Sequence, residues 1–509
     1  MTHTHAVPSS LRQKSTDGSA ASNILRETTS LLWASEQVPD GHSDDRGEPD
    51  SSGSWQSELK FLSTNSSFLV LASLLYYSVP VTSIIIAGRL GPSELGAVSL
   101  ANVTSNVTGI VVFQGLATTL DTLCAQAYGS GNFALVGLHV QRMTFLLWCI
   151  SIPVAALWFN ASGVLSIIIP DQRVAQLAGL YLKVLILGAP GIALFETVKR
   201  YLQAQGHFAA ILYTLGVATA ANIFMSWLLV VRLSFGFIGV PLAVVATYNV
   251  LPLLLIVYVL LFADRECWPG WSRRLFHDWM PMILLALPGL CMIEAEFLAF
   301  EILTLAASYL STKHLAAQTI MASLSGIFWQ LPFPTSIVAT TRIAELIGAG
   351  KADAAKLSAK TATVVSMGIG AFNGVILSLP QMRRYILPLF TGDEEVTELV
   401  AGALPILAAM QFFDATGANG NGILRGLGRQ RIGGFVSLAC FYIFALPFCF
   451  FSAFYLGWEL KGLWSGVTIA LSMVVALEGW YLITTDWDTC VLDAVNRNSG
   501  GAVFVEEYC

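Results

Sequence analysis

The chain has 509 residues, 55% of them hydrophobic and 12% charged, with a mean hydropathy of +0.66 and a net charge of −6. Soluble domains carry about 25% charged residues, so this composition excludes one, and no basic surplus is present to hold nucleic acid. The eight cysteines show no metal-spaced pair and no disulfide framework, and the sequence has no HExxH or GxSxG stretch, so no cofactor, metal or membrane-embedded enzyme is expected.

Residues 1–62 are rich in Ser, Asp and Gly and are expected to form a disordered cytoplasmic tail. Within them "ETTSLL" (27–32) fits an acidic dileucine signal of the kind that routes proteins to vacuolar membranes. Twelve apolar runs follow, at about 66–88, 97–122, 140–160, 176–198, 208–231, 236–263, 279–309, 314–339, 361–380, 397–423, 432–453 and 462–485. Each is long enough to cross a hydrocarbon core about 30 Å thick. The expectation is an all-α polytopic membrane protein of twelve transmembrane helices. Its parts are an N-lobe (63–263), a charged inter-lobe loop (264–278), a C-lobe (279–487) and a cytoplasmic tail (488–509). Loops on the side of the termini hold thirteen Lys and Arg, from Arg142 to Arg431, against seven opposite, from Arg89 to Lys461. Both termini are therefore expected in the cytoplasm, in a vacuolar or plasma membrane.

The two lobes share a pattern. "AQAYGSGN" (125–132) matches "AELIGAGK" (344–351), "KRYLQAQGHFAAILYTLG" (199–216) matches "NGILRGLGRQRIGGFVSLA" (421–439), and "FGFIGVPLAVV" (235–245) matches "GWELKGLWSGV" (457–467). Gly129 pairs with Gly348, Gly206 with Gly428 and Gly239 with Gly462, at a nearly constant spacing of six spans. Six is even, so the halves enter the membrane in the same sense, as in transporters that rock one repeat against the other. A receptor has little use for such a duplication.

"LDTLCAQAYGSGN" (120–132), "ALFETVKRYLQAQG" (193–206), "EFLAFE" (296–301), "TTRIAELIGAG" (340–350), "GILRGLGRQRIG" (422–433) and "LGWELKGLWSG" (456–466) occur in order. Together they resemble the multidrug and toxic compound extrusion (MATE) family in its eukaryotic branch. The resemblance implies a V-shaped bundle of two six-helix lobes. It also implies export of organic, often cationic, solutes in exchange for H+ or Na+, and a monomer that meets only its solute and membrane lipid.

Few ionisable residues fall inside the spans, and such residues are functional candidates. They are Asp121, Lys183, Glu196, Glu294, Glu296, Glu301 and Asp414. On an ideal helix Glu294 and Glu301 lie within about 20° of each other, which favours that pair, with Glu296 about 200° round from Glu294. The resemblance instead implies a C-lobe cluster of Glu296, Glu301 and Asp414. Asp121 reads as a cap or anchor, and Glu196 serves either an ion pair with Lys199 or Arg200 or a functional role. Lys183 reads as snorkelling to the outer face. Gln114, Gln330, Tyr76 and Tyr77 are candidates to line the cavity, and Pro80 and Pro288 to bend the first and seventh helices.

A carboxyl that is neutral with a proton bound and anionic without it can alternate between proton and cation. The reading is thus a secondary active antiporter, with proton coupling preferred to sodium. A lipid or lipid-linked oligosaccharide flippase is the alternative, and it needs a basic cavity.

Overall fold

The computed structural model describes residues 54–506 apart from Pro170, Asp264 and Pro269; the dileucine-like stretch at 27–32 lies outside them. Ser54 starts the first helix, its hydroxyl accepting from the Ser57 N–H, and Glu58 in the first turn suits the positive end of the helix dipole. The helix therefore begins at Trp55, before the expected end of the tail at 62, because a cap and an ion pair from Glu58 to Arg342, at 2.9 Å, hold this turn.

The first half consists of α1 (Trp55–Leu90), α2 (Pro92–Gly129), α3 (Phe133–Phe159), α4 (Gln172–Ala204), α5 (Phe208–Arg232) and α6 (Gly236–Phe262). The second half consists of α7 (Met280–Leu310), α8 (312–348), α9 (Ala352–Ser378), α10 (Glu394–Gly426), α11 (Gln430–Tyr455) and α12 (Glu459–Thr484), and α13 (Trp487–Glu506) follows. Among the described residues eleven helices are long and apolar enough to cross a membrane, and α8 occupies the place of a twelfth. It is two pieces, Thr312–Trp329 and Pro332–Gly348, because Pro332 has no N–H with which to continue the ladder. By contrast α1 and α7 run on through Pro80 and Pro288.

One apolar core holds Leu62, Phe113, Leu147, Trp158, Tyr181 and Phe208 of the first half and extends to Met282, Val338 and Ala344 of the second, while Leu303, Met321, Leu407, Phe441 and Trp464 form another within the second half. The buried indole of Trp464 donates to Gln318 Oε1 at 2.7 Å, so its one polar atom is satisfied. The inter-lobe segment is anchored under α3, where Gln141 donates to the Gly270 carbonyl at 2.8 Å and Cys267 is buried.

The sequence repeat has a structural counterpart at each glycine pair. Gly206 and Gly428 both turn the chain in the left-handed region, at φ +77° and +74°, after α4 and α10. Gly239 packs against Val230, and Gly462 packs against the backbone of Ala453, at the same spacing. Gly129 and Gly348 do more, because they face each other's helix. A Cβ at Gly129 would overlap the Glu345 carbonyl oxygen, and a Cβ at Gly348 would overlap that of Gln126. Glu345 and Gln126 are themselves repeat equivalents, so the contact is reciprocal about a pseudo-twofold axis between α2 and α8.

This seam closes the face on which the described chain begins and ends, called here the terminal face. Further contacts across it are Gln126 Nε2 to the Gly426 carbonyl at 2.9 Å and Thr122 Oγ1 to the Arg425 carbonyl at 2.6 Å. These side chains of the first half bond carbonyls in the last turn of α10, that of Arg425 also accepting from the Gly428 N–H at 2.9 Å. Gly115 lies against Leu290, and Gly289 lies against Thr118, so α2 also meets α7 closely. Helix α13 straddles the two halves. Its Arg497 and Asn498 bond Gln126, and its Asp493 pairs with Arg429 at 2.8 Å. At its start the Thr489 hydroxyl and the Asp488 N–H hold the Asp486 carboxyl below the usual carboxylate range.

Replacing Gly129 or Gly348 by Val should force α2 and α8 apart and lower the melting temperature in detergent by several degrees, since overpacking costs about 1–3 kcal/mol. The double variant should lose less than the sum, because one separation relieves both clashes. Thermal unfolding of the three variants checks this, and strict additivity would contradict the reciprocal contact.

Candidate functional site

The two halves treat their buried charges differently. In the first half Arg200 of α4 is the centre: its Nε lies 3.2 Å from Asp121 Oδ1 of α2, and its NH1 bonds the Glu196 carboxylate one turn back. Lys199 adds a second bond to Glu196 at 2.8 Å. All three partners of this core, Asp121, Glu196 and Arg200, have side chains no more than 3% exposed. Asp121 is therefore not a helix cap but one arm of a buried ion-pair network, because α2 and α4 pack with Arg200 between them. Glu196 takes the ion-pair role. Gln114 contributes its backbone carbonyl, which accepts from Arg200 NH2 at 3.2 Å.

In the second half the acids have no such partners. The carboxyl groups of Glu296 of α7 and Asp414 of α10 face each other. Asp414 is 3% exposed, and among the described residues no N–H or hydroxyl donor reaches its Oδ1. Glu301, on the same helix as Glu296, is half-buried and joins neither of them. The expected cluster of three is thus a pair in this structure, since five residues turn Glu301 about 140° round the helix from Glu296. Glu294 lies within electrostatic reach of Tyr442 of α11, and among the described residues its buried Oε2 has no donor. The Glu294–Glu301 pairing that helical geometry favours does not form.

The pair opens onto a cleft lined by Met292, Ile293, Glu296 and Phe297 of α7, Trp329 and Phe333 of α8, and Ala418, Asn421 and Arg425 of α10. Its empty space is about 360 Å³, counting what is open to solvent. Trp329 and Phe333 stack with centroids 5.4 Å apart across the break in α8, so the same proline that interrupts the helix presents two parallel rings to the cleft. Rings of this kind attract organic cations by their quadrupole.

The other sequence candidates lie elsewhere. Tyr76 stacks on Phe195 in the first core with its hydroxyl against Tyr248. Tyr77 reaches across to Gly326 of α8. Gln330 bonds its own helix at Gly326, and its carbonyl accepts from Ser73 of α1 at 3.2 Å. Lys183 is exposed and rests over the Phe159 ring.

Two functional candidates escaped the sequence reading. Arg425, three residues past Gly422, looks like a loop cation by the positive-inside pattern, yet α10 continues to Gly426 and buries it to 3% exposure. Glu478 on α12 is 1% exposed, and among the described residues no donor reaches either carboxyl oxygen. Its signal was present, as the one acid in "LSMVVALEGWYLIT" (471–484).

Arg200→Met would leave Asp121 and Glu196 short of a buried cation, at a cost of about 3–5 kcal/mol for a broken buried pair. The expected outcome is a large loss of folded protein in detergent extracts, read by size-exclusion chromatography and thermal unfolding. A variant as stable as wild type would show that the network does not hold the first half together.

A family model described as MatE matches residues 69–228 and 288–451, one match in each half. An uncharacterised transporter of Schizosaccharomyces pombe is 38% identical over 88% of this chain and 83% of its own length. The human Multidrug and toxin extrusion protein 1 is 31% identical over 85% of this chain and 76% of its own length. The crystal structure of the eukaryotic MATE transporter AtDTX14 superposes with a TM-score of 0.83 at 29% identity, over 87% of this chain and 99% of that one.

Proposed function

This chain belongs to the MatE family and is a multi-pass membrane transporter rather than an enzyme, and on that premise we propose that it is a proton-coupled antiporter exporting organic solutes, often cationic. The observation that carries the reading is the approach of the Glu296 and Asp414 carboxyl groups to each other with no cation between them among the described residues. An ionised carboxylate only accepts hydrogen bonds, so two carboxyl groups can bond each other only when a proton is held between them. The pair is the proton site. Losing that proton leaves two negative charges beside Trp329 and Phe333, an environment that favours an organic cation in the proton's place.

A sodium ion asks for several fixed oxygen ligands, whereas two facing carboxyl groups can share a proton. The flippase alternative asks for a basic cavity. The cleft holds one basic residue, Arg425, beside the acid Glu296, and Arg425 also faces the acids Asp121 and Glu478.

The excess of loop Lys and Arg sets the terminal face toward the cytoplasm. With the seam of α2 and α8 closed there, the conformation is the one that would load protons from the opposite side. Opening the seam would then release them to the cytoplasm and admit solute. Both halves of the cycle lie in one chain, so a monomer suffices, in a vacuolar or plasma membrane.

Transport in reconstituted vesicles with an imposed pH gradient tests this. Glu296→Gln and Asp414→Asn should each bring pH-driven exchange to background, while Trp329→Ala should raise the apparent KM about tenfold with kcat little changed, since a desolvated cation–π contact of 1–2 kcal/mol is lost. Exchange by both carboxyl variants at the wild-type rate would disprove the proton site. Uptake sustained by sodium with no pH gradient would assign the coupling to sodium.

A further inference from the structure

The transport reading leaves one fully buried acid unused. Glu478 stands six residues before the end of α12, about 9 Å from the terminal face at 1.5 Å per residue. Its Oε2 lies over the bare backbone of Gly420 on α10, where a Cβ would come within 2.7 Å. The charged group facing it is Arg425 of α10, and Cys440 of α11 is the other titratable neighbour.

Arg425 is shared. From its own half it faces Glu478, and across the seam it faces Asp121 of α2 and Arg200 of α4. Its Nε has no acceptor among the described residues, while its carbonyl is tied to Thr122 of α2. With Lys199 and Glu196, the charged groups linked through Arg425 and Arg200 are three acids (Asp121, Glu196, Glu478) and three bases (Lys199, Arg200, Arg425). Of the acids, Glu478 alone has no direct contact with a cation.

A buried carboxylate with neither oxygen hydrogen-bonded is costly, and the neutral acid is much less so. The closed seam therefore suits a protonated Glu478, with Arg425 answered by Asp121. Separating the halves at the terminal face withdraws α2 and its Asp121, admits water, and leaves Glu478 as the acid within reach of Arg425. We propose that Glu478 is a further proton-binding carboxyl of the transport cycle, which keeps its proton while the terminal face is closed and releases it at that face when Arg425 exchanges Asp121 for it. In that step the O–H bond of Glu478 breaks, the proton passes to water on the terminal side, and the carboxylate accepts an N–H of Arg425. Arg425 also lines the cleft beside Glu296, so release at Glu478 is linked in space to the Glu296–Asp414 pair.

The proposal rests on the proton reading of that pair, and its test separates the two. Spin labels at Asn132→Cys and Lys351→Cys, on the turns after α2 and α8, report the width of the seam. Cys149, Cys291 and Cys509 are replaced by Ser, and distances are measured in lipid vesicles at low and high pH. In the otherwise wild-type protein, raising the pH should populate a longer distance. In Glu478→Gln that population should fall about fivefold or more, and Asp121→Asn should increase it. Glu478→Asp, which still titrates, should retain the response, and this guards against a mere folding defect in the Gln variant. An equal pH response in wild type and Glu478→Gln overturns the proposal, as does a wild-type distance indifferent to pH. Glu296→Gln should abolish pH-driven exchange and keep the seam response. If Glu296→Gln exchanges normally while the seam response of Glu478 persists, the pair reading alone fails.

Discussion

The backbone contact of Gly129 with Gly348 is the constraint from which the rest of the arrangement follows. Two helices can meet this closely only where neither carries a side chain, and here each offers its bare turn to the other's carbonyl. That approach brings Thr122 and Gln126 to the last turn of α10, where they bond the Arg425 and Gly426 carbonyls. It also sets Asp121 opposite Arg425, so an electrostatic network spans two halves that also share part of one apolar core. A wider seam would leave these groups facing water or lipid.

The halves share an architecture but not an electrostatic character. In the first half every buried acid has a basic partner, so its charges cement α2 to α4. In the second, Asp414 and Glu478 are buried and Glu296 partly buried, with no bonded cation among the described residues. Unpaired acids cost stability, and a fold retains them where changing their protonation is useful. On the proposed proton reading, one lobe is a fixed frame and the other the titrating element, its acids lying between α7, α10 and α12 near two aromatic rings of α8.

The helices, the duplication and the acids of α7 and α10 were legible in the sequence, because an apolar run, a repeated glycine and a charge within such a run each have a direct physical meaning. What was not legible depended on where helices stop and which way they face. Arg425 reads as a loop residue in the sequence because α10 outlasts its apolar stretch by a turn, covered at that end by α2. Glu301 keeps company with Glu296 in the sequence, yet the pitch of the helix turns it away. Glu294 comes within electrostatic reach of Tyr442 of α11 for the same reason, and no local pattern announces which neighbour each face of α7 will have. The start of α1 at Trp55 depends on Arg342, nearly three hundred residues away, which no reading of residues 1–62 could supply.

The reciprocal contact has an architectural corollary. An interface in which each partner offers the same residues to the other is the isologous geometry of a symmetric dimer. A six-helix chain carrying one such glycine motif holds everything needed to recognise a second copy of itself, and the segment at 264–278 spares the molecule the search for that copy. Joining two such units in one polypeptide also removes the requirement that both faces be identical. One copy is then free to keep its acids paired while the other loses its cations, an asymmetry that no strict homodimer can encode.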